Sequence, residues 1–442
     1  MGWNGIGIGW PNASSGYTYA KDLVTRFIRR VKSNGGTFRE AICLQLKLDA
    51  LDNIKLLRNV SLMITPNAFN SGVIYDVLPN TPLGDMDFAR NSLAMRVANN
   101  QLLETNSPDE PRLDFTGNNC PTWLVEPERT NLCTYSKTFT KRNIWIKSGS
   151  VSVAADAVMS PNGATQATLL SLNDFNSSID QFIYYPFEAG NTVTISLYVK
   201  YDKDNFISFG PNTPPGANGV YSIENFGFGW YRHIITRTLT APGSPIQFTI
   251  GKGDSGDFYI WGAQLEIGSY ATSHIQTTGS PITRSADTIN KEGIADLIGQ
   301  TEGTLFCDVN LDVRSGDTYL ALAGGPAGIS KNSLAIIFVK DDIVFEIYNN
   351  IILQGKIIVP SSSTGRSTGR FKIAAVYIQD NCNLYINGVN RGSISSCLIP
   401  QTSYISLTAN LDGNPINPMR YNSVQVYKTK LSDSELIDLT TI

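Results

Sequence analysis

Only two histidines, His233 and His274, are available for general acid–base work or for metal binding. His233 lies in residues 230–235, whose aromatic and β-branched side chains predict a strand. A serine nucleophile would need one of the two close by, and the sequence contains no Gly-x-Ser-x-Gly turn. We therefore expect no nucleophilic or general-base catalysis and no zinc bound by histidine.

The spacing of Asp308, Asn310 and Asp312 matches the first three ligands of a calcium loop. The glycine and the terminal glutamate of an EF-hand are missing from the residues that follow. Strand alternation explains the pattern equally well, with three polar residues facing water and Val309 and Leu311 facing a core. We predict a strand and no metal, with a calcium site between loops as the open alternative.

Glycines at positions 5, 7 and 9 match part of a nucleotide-binding loop. No strand precedes them and no lysine follows, so we predict neither a phosphate site nor a cofactor.

Six cysteines have irregular spacings and include no Cys-x-x-Cys pair, which argues against a zinc site. They are Cys43, Cys120, Cys133, Cys307, Cys382 and Cys397. We predict buried free thiols. A link between Cys382 and Cys397 across a hairpin is the alternative.

The composition provides little electrostatic attraction for nucleic acids or anionic membranes. The chain has 442 residues, of which 42% are apolar and 17% charged, and its net charge is −3. This length predicts about two to four domains, each able to bury a core. No run of about 18 apolar residues and no secretory signal occurs. We expect synthesis in a cytoplasm, no nucleic-acid partner and no membrane insertion.

Aromatic side chains can stack on sugar rings, although many in a β-sandwich fill the core instead. The candidates are Trp230, Tyr231, Tyr184 and Tyr185. Paired carboxylates could cleave polysaccharides, but no strand carries a Glu-x-Asp-x-Glu arrangement.

Residues 1–116 are predicted to form a small α-containing region. Apolar residues fall on one face of a helix, and residues 34–36 would end it. These apolar residues are Leu23, Val24, Phe27, Ile28 and Val31. A capping box at residues 37–40 then predicts a second helical segment over residues 42–57. The basic residues Arg26, Arg29, Arg30 and Lys32 predict a solvated helix face or a contact to a partner.

Residues 117–290 and 291–442 both predict β-structure, because short β-branched and aromatic runs alternate with Gly, Pro, Asn and Asp. Predicted strands include residues 193–199, 246–250, 303–310, 371–377 and 422–427. Residues 361–370 predict a polar loop, and Ser432 an N-cap for a last short helix.

Two separated motifs carry a family resemblance. The first is Glu-Pro-Glu-Arg-Thr-Asn-Leu at residues 126–132, followed by Tyr135, Ser136 and Trp145. The second is Trp-Gly-Ala-Gln-Leu-Glu at residues 261–266, followed by motifs at residues 268–273 and 283–287. In this order they resemble the head-spike or tail-fibre domain of tailed bacteriophages, over residues 117–290.

Three further motifs resemble a concanavalin A-like, laminin-G-type jelly roll over residues 291–442. They lie at residues 383–389, 424–427 and 431–436. In the first of them, Asn387 and Gly388 close a hairpin whose turn needs positive φ. Residues 1–116 loosely resemble the segment that leads such modules in phages.

The resulting prediction is a mainly β chain with two β-sandwich or jelly-roll domains in tandem after a small α-containing N-terminal region. The resemblance implies a homotrimeric virion appendage, a head fibre, tail fibre or spike, assembled in the host bacterial cytoplasm. Its N-terminal region would anchor it to other virion proteins, and its sandwiches would adhere to host or mucosal glycans. We expect no enzyme activity. The alternatives are a tail-associated glycan depolymerase and an architectural protein without a ligand.

Overall fold

The computed structural model describes residues 15–38, 54–78, 82–117, 119–203, 205–210, 219–242, 245–313, 317–326, 331–409 and 417–442. The glycine segment at residues 5–9, Cys43 and most of the predicted second helical segment therefore lie outside the described residues.

The described chain is mainly β, which confirms the predicted fold class. The helices are α1 Ser15–Ser33, α2 Ile54–Asn59, α3 Ser361–Thr364 and α4 Asp433–Thr440. The strands are β1 Thr37–Phe38, β2 Val60–Asn70, β3 Val73–Asp76, β4 Met86–Ala89, β5 Ala94–Val97, β6 Leu103–Asn106, β7 Arg112–Asp114, β8 Thr122–Val125, β9 Arg129–Asn131, β10 Ile146–Ser148, β11 Val151–Met159, β12 Thr165–Leu172, β13 Ser178–Ile183, β14 Thr192–Val199, β15 Ile207–Phe209, β16 Val220–Gly227, β17 Trp230–Thr238, β18 Ile246–Ile250, β19 Gly256–Ile267, β20 Ile282–Arg284, β21 Thr288–Glu292, β22 Glu302–Leu311, β23 Thr318–Ala323, β24 Ser333–Phe338, β25 Asp342–Asn349, β26 Ile352–Pro360, β27 Gly369–Ile378, β28 Cys382–Ile386, β29 Val389–Ile394, β30 Tyr404–Ala409 and β31 Met419–Tyr427.

Strands from both ends of the chain pair in one β-unit. β2 pairs with β31 at Leu62 and Val426, and β4 pairs with β21 at Phe88 and Ile289. β8 also pairs with β31. We call this the bipartite unit, formed by β1–β4, β7, β8 and β21–β31. The boundary predicted after residue 116 falls between the paired strands β7 and β8, and the boundary predicted after residue 290 falls within β21.

The core of the bipartite unit also draws on both chain segments. One buried apolar cluster contains Leu62, Phe88 and Trp123 together with Leu305 and Val426. A second cluster lies on the outer side of the sheet, where α1 and α4 cover it. Because each segment supplies part of the same core, removing either one would expose apolar surface of the other.

The predicted N-terminal helix is present as α1, and Leu23, Phe27 and Val31 form its buried face. The helix ends at Ser33, after which Gly35 adopts a positive φ of 69° and the Gly36 amide donates to the Val31 carbonyl at 2.9 Å. This is the predicted glycine-rich C-terminus.

Arg39 and Glu40 of the predicted capping box at residues 37–40 lie outside the described residues. Thr37 and Phe38 form β1 and pair with Phe69 and Ala68 of β2. This pairing with a distant strand is not encoded in the local sequence pattern.

Part of the predicted basic helix face makes internal contacts. Arg30 donates to Asp85 at 2.8 Å, and its guanidinium lies over the Tyr75 ring at 5.6 Å. Arg26 pairs with Asp22 within the helix at 3.0 Å. Arg30 therefore helps to fix α1 on the sheet.

Residues 129–284 form a second β-sandwich, which we call the inserted unit. Its six-stranded sheet has the order β11-β12-β19-β14-β17-β16, and its four-stranded sheet the order β10-β13-β18-β15. A core of its own fills the space between them and includes Trp145, Ile195, Phe248 and Leu265. β9 and β20 pair antiparallel where the chain enters and leaves this unit.

The hairpin β5–β6 connects the two units. Met95 and Leu103 of the hairpin share a buried cluster with Tyr198, Trp230 and Trp261 of the six-stranded sheet. The Leu103 amide also donates to the Pro161 carbonyl at 2.9 Å. The inserted unit is thus held by apolar packing as well as by its two chain connections.

The predicted hairpin turn and helix cap near the C-terminus are confirmed. Asn387 and Gly388 have φ values of 52° and 78° and close the hairpin β28–β29. Ser432 caps α4 and forms a capping box with Glu435. The predicted polar loop at residues 361–370 contains the single helical turn α3.

None of the described helices has the length and hydropathy that a membrane span requires.

Candidate functional site

A cleft of about 780 Å³ lies between the two units, and we call it the interunit cleft. Its first wall is the outer face of β16 and β17. Ser222, Glu224 and Phe226 occupy every second position of β16 and line the cleft, as does Thr236 of β17. This spacing follows from the two-residue period of a strand.

The second wall belongs to the bipartite unit. Asp312 follows β22, Thr368 precedes β27, and Arg420 lies near the start of β31. The segment Ser269–Ser273 between β19 and β20 closes the third side, with Tyr270 and Ser273 among the lining residues. The cleft therefore depends on both units being in place.

Two arginines in the cleft lining make internal contacts. Arg420 binds Asp312 at 2.7 Å and also Asp114, while Arg232 donates to Ser196 Oγ and to the Thr272 carbonyl at 3.0 and 2.7 Å. The lining contains the cations Arg96, Arg232 and Arg420 and the anions Asp114, Glu126, Glu224 and Asp312. The near balance of charge gives the cleft no strong preference for a polyanion.

Shifts in pKa keep Arg420, Tyr198 and Tyr270 in the protonation states that they have in water. Burial opposes ionisation of Arg420, but the charges of Asp114 and Asp312 outweigh it and raise its pKa. Burial raises the pKa of Tyr198 and Tyr270 as well. Each shift moves the group further from neutral pH, whereas a general acid or base works best near it.

A network of buried ion pairs lies next to the cleft and is built from the phage-like motifs. Glu126 of the first motif accepts from Arg112 at 2.5 Å and pairs with Arg284 at 2.8 Å. Its other oxygen accepts from the Ser273 amide at 2.8 Å. Asp287 accepts from Arg90 at 3.0 Å and also from Arg112.

This network holds the two chain connections together. Burial opposes the charge of Glu126, but Arg284 and Arg112 outweigh it and hold the pKa of its carboxyl far below the usual range. The Glu126 amide donates to Asp287 at 2.8 Å, and the Asp287 amide donates to the Glu126 carbonyl at 3.0 Å. The motif residues thus fix the junction between the units.

Other motif side chains satisfy buried backbone groups inside the inserted unit. Asn131 donates to the carbonyls of Ala263 and Ile275 at 3.1 and 2.8 Å and accepts from the Leu265 amide at 3.1 Å. Gln264 accepts from the Ile275 amide at 2.7 Å, and Glu266 from the Thr272 amide at 2.9 Å. These contacts order the segment that closes the third side of the cleft.

Neither histidine lines the interunit cleft. His233 is buried in β17, as its strand pattern predicts, between the Tyr221 hydroxyl and the Tyr201 carbonyl, each at 2.6 Å. His274 is buried against Trp261 with ring centroids 4.8 Å apart, and neither ring nitrogen has a partner in the described part of the chain. Burial lowers the pKa of His274 to about 3.

The acidic residues of the calcium-like spacing form ion pairs instead of a shared site. Asp308 accepts two hydrogen bonds from Arg370, at 2.9 and 2.6 Å, and Asp312 binds Arg420. The described residues contain no group of three or more His, Cys, Asp or Glu placed to hold a metal ion.

The aromatic candidates for sugar stacking differ in exposure. Trp230 is 1% exposed, and its indole donates to the Met159 carbonyl at 3.2 Å, so core packing accounts for it. Tyr184 and Tyr185 are 77% and 39% exposed and follow β13, outside the cleft lining. Tyr231 is half-buried in β17. The structure adds Phe226, which is half-buried and whose position at the cleft depends on the contact between the units.

The cysteines differ partly from the prediction of free thiols. Cys133, Cys307, Cys382 and Cys397 are free and buried. Cys120, in contrast, forms a disulfide.

No known family matches this chain, and no curated protein does. The chain is similar to solved structures over about a third of its length. A CBM40 of the Ruminococcus gnavus IT-sialidase gives a TM-score of 0.29 at 16% identity and covers 34% of this chain and 97% of its own.

Two other similar structures come from larger proteins. A leech intramolecular trans-sialidase complexed with 2,7-anhydro-Neu5Ac gives a TM-score of 0.27 at 17% identity, over 33% of this chain and 24% of its own. A botulinum neurotoxin serotype D/C binding domain gives a TM-score of 0.29 at 13% identity. The match covers 35% of this chain and 40% of the toxin domain's chain. Similarities at these TM-scores carry no argument about the ligand of this chain.

Proposed function

We propose that this protein is a non-enzymatic adhesion subunit that binds a glycan in the interunit cleft. The observation that carries the proposal is the lining of the cleft, where side-chain hydroxyls and paired charges lie beside aromatic rings. The hydroxyl-bearing residues are Thr116, Ser222, Thr236, Ser269, Thr272, Ser273 and Thr368. A volume of about 780 Å³ falls within the range of small-molecule sites, which often lie between domains.

The chemistry of the lining suits a polyhydroxylated ligand. Sugar hydroxyls donate to carboxylates such as Glu224 and accept from guanidinium groups, and charged partners make these hydrogen bonds stronger. Phe226 offers an apolar ring on the same strand for the C–H face of a sugar. A ligand of low charge also fits the near balance of cations and anions.

We further propose that the protein acts as a fibre or spike subunit of a tailed-phage particle. The support is the phage-like motif pair at residues 126–132 and 261–266, whose side chains fix the junction between the two units. Homotrimerisation and an anchor in the N-terminal region are part of this proposal. Several copies on one particle would raise the avidity of a shallow site.

Binding of the full-length protein to a glycan array and to host cells tests the adhesion proposal. We expect Glu224→Gln and Phe226→Ala to weaken binding by about tenfold, the effect of losing a charged hydrogen bond or a ring contact. Glu188→Gln and Phe175→Ala replace exposed residues outside the cleft and should leave binding unchanged. Equal binding by all four variants would refute the cleft as the site.

Two further measurements separate the alternatives. Release of reducing sugar from a polysaccharide panel would indicate a depolymerase and contradict the non-enzymatic assignment. Absence of binding to every glycan and to host cells would leave the architectural role. Imaging of labelled protein on phage particles tests the appendage role independently of any ligand.

A further inference from the structure

Two buried thiols lie in contact in the bipartite unit. Cys382 Sγ and Cys397 Sγ are 3.1 Å apart, and the Cys382 thiol is also 3.3 Å from the Ile378 carbonyl. Cys382 begins β28, and Cys397 lies three residues beyond the end of β29. The hairpin therefore brings together two cysteines that are fifteen positions apart in sequence.

Backbone hydrogen bonds and strand pairing hold the two cysteines close to each other. The Cys397 amide donates to the Asp380 carboxylate at 3.0 Å, and the Asp380 amide donates to the Cys397 carbonyl at 3.2 Å. At the strand side, Cys382 pairs with Ile394 of β29. Little backbone movement is needed to bring the sulfurs to bonding distance, and this is the main geometric condition for a disulfide.

A cavity lies close to the pair, although neither cysteine is among the residues that line it. A second cavity of about 410 Å³ is lined by Ile378, Gln379, Leu398 and Ile399, which flank the cysteines along the chain. Leu398, directly after Cys397, is 54% exposed. A small displacement of this segment would open Cys397 to a soluble oxidant.

We propose that Cys382 and Cys397 are an oxidation site that forms an intramolecular disulfide once the protein leaves a reducing cytoplasm. Such compartments keep thiols reduced, whereas disulfides persist in oxidising surroundings. The bond joins β28 to the segment after β29 and adds a covalent restraint to an edge of the sheet. This inference is independent of the proposed ligand.

The reaction balances with a disulfide oxidant such as glutathione disulfide. The Cys397 thiolate attacks one sulfur of glutathione disulfide, releases one glutathione thiolate and forms a mixed disulfide. Cys382, after losing its proton, attacks the Cys397 sulfur and releases the second glutathione. Two protein thiols are oxidised, and the oxidant is reduced to two thiols.

Burial makes oxidation of the two thiols slow, and slow exchange suits a structural disulfide. Burial and the neighbouring thiol raise the pKa of Cys382, so its thiolate is scarce in the folded protein. Exchange then depends on brief opening of the segment after β29.

Peptide mapping of the full-length protein tests the proposal. Trypsin cleavage at Lys372, Arg391 and Arg420 places the two cysteines on separate peptides, residues 373–391 and 392–420. After incubation with glutathione disulfide, unfolding and alkylation, we expect these peptides to remain joined until a reductant is added. Cys133 and Cys307, buried and free, should be alkylated throughout.

Full alkylation of both Cys382 and Cys397 after exposure to the oxidant would overturn the proposal. A second measurement compares melting temperatures. Closing a loop of this length should raise the Tm of the oxidised wild type by about 5 °C. Cys397→Ser should lose this rise, and Cys307→Ser should keep it. No difference between the oxidised and reduced Tm would contradict the proposed restraint.

Discussion

At the scale of single residues, the side chains that identify the phage-like motifs serve the fold. Glu126, Asn131 and Gln264 are buried, and their partners are arginines or backbone amides and carbonyls. Buried polar groups must be paired because an unpaired one costs free energy. The motif residues therefore fix the junction between the units without specifying a ligand.

Glu126→Gln tests the role of the buried network. The substitution keeps the shape of the side chain but removes the charge that Arg112 and Arg284 share. We expect the free energy of unfolding to fall by about 3–5 kcal/mol, the usual cost of breaking a buried ion pair. Chemical denaturation measures it. Glu128→Gln, an exposed residue of the same motif, is the control and should change little.

His274 predicts a pH dependence of stability. Its pKa is about 3 in the folded protein against 6.5 for the free side chain, because burial disfavours the charged form. The unfolded chain therefore binds the proton first. Stability is fully present above pH 6.5 and declines as the pH falls toward 3.

The size of this effect can be measured between pH 7 and pH 5. For these two pKa values, we expect a loss of about 2 kcal/mol from His274. His274→Phe removes the titration and should flatten the dependence over that interval. An equally steep dependence in the variant would show that other groups cause it.

At the scale of elements, the sequence predicted what is encoded locally. Helix α1, the β28–β29 turn and the cap of α4 were predicted because their periodicity, glycines and capping residues are neighbours in sequence. β1 and the pairing of β2 with β31 could not be predicted, since their partners are distant residues. The interunit cleft could not be predicted either, because its walls come from strands of both units.

The hairpin β5–β6 is the element that joins the units by apolar contact. Leu103→Ala should cost about 2–4 kcal/mol and weaken the coupling of the units, because Leu103 packs with Trp230 and Trp261. We expect tryptophan fluorescence to report an earlier transition than far-UV circular dichroism.

Leu93→Ala provides the matched control for this hairpin. Leu93 directly precedes β5 and is 62% exposed, so its truncation should leave both transitions where the wild type has them. Similar unfolding of the two variants would argue against the hairpin as the coupling element.

At the scale of the whole molecule, one β-unit is interrupted in sequence by another. The inserted unit has a continuous chain and a core of its own, whereas the bipartite unit needs residues from both sides of it. Pairing between segments more than 300 residues apart has no local signature. Local patterns therefore gave no indication that strands from distant parts of the chain pair with each other.

Two fragments test this organisation. Residues 127–285 contain the whole core of the inserted unit and the β9–β20 pair that closes it, so they should unfold cooperatively.

Residues 117–442 lack β2, β3, β4 and β7, which leaves the apolar core around Leu305 and Val426 exposed. We expect this longer fragment to aggregate or to bind a hydrophobic dye, as exposed core surface does. Scanning calorimetry and dye binding measure both properties, with the full-length protein as control. A soluble 117–442 fragment that melts cooperatively at the full-length Tm would show that the N-terminal strands are dispensable.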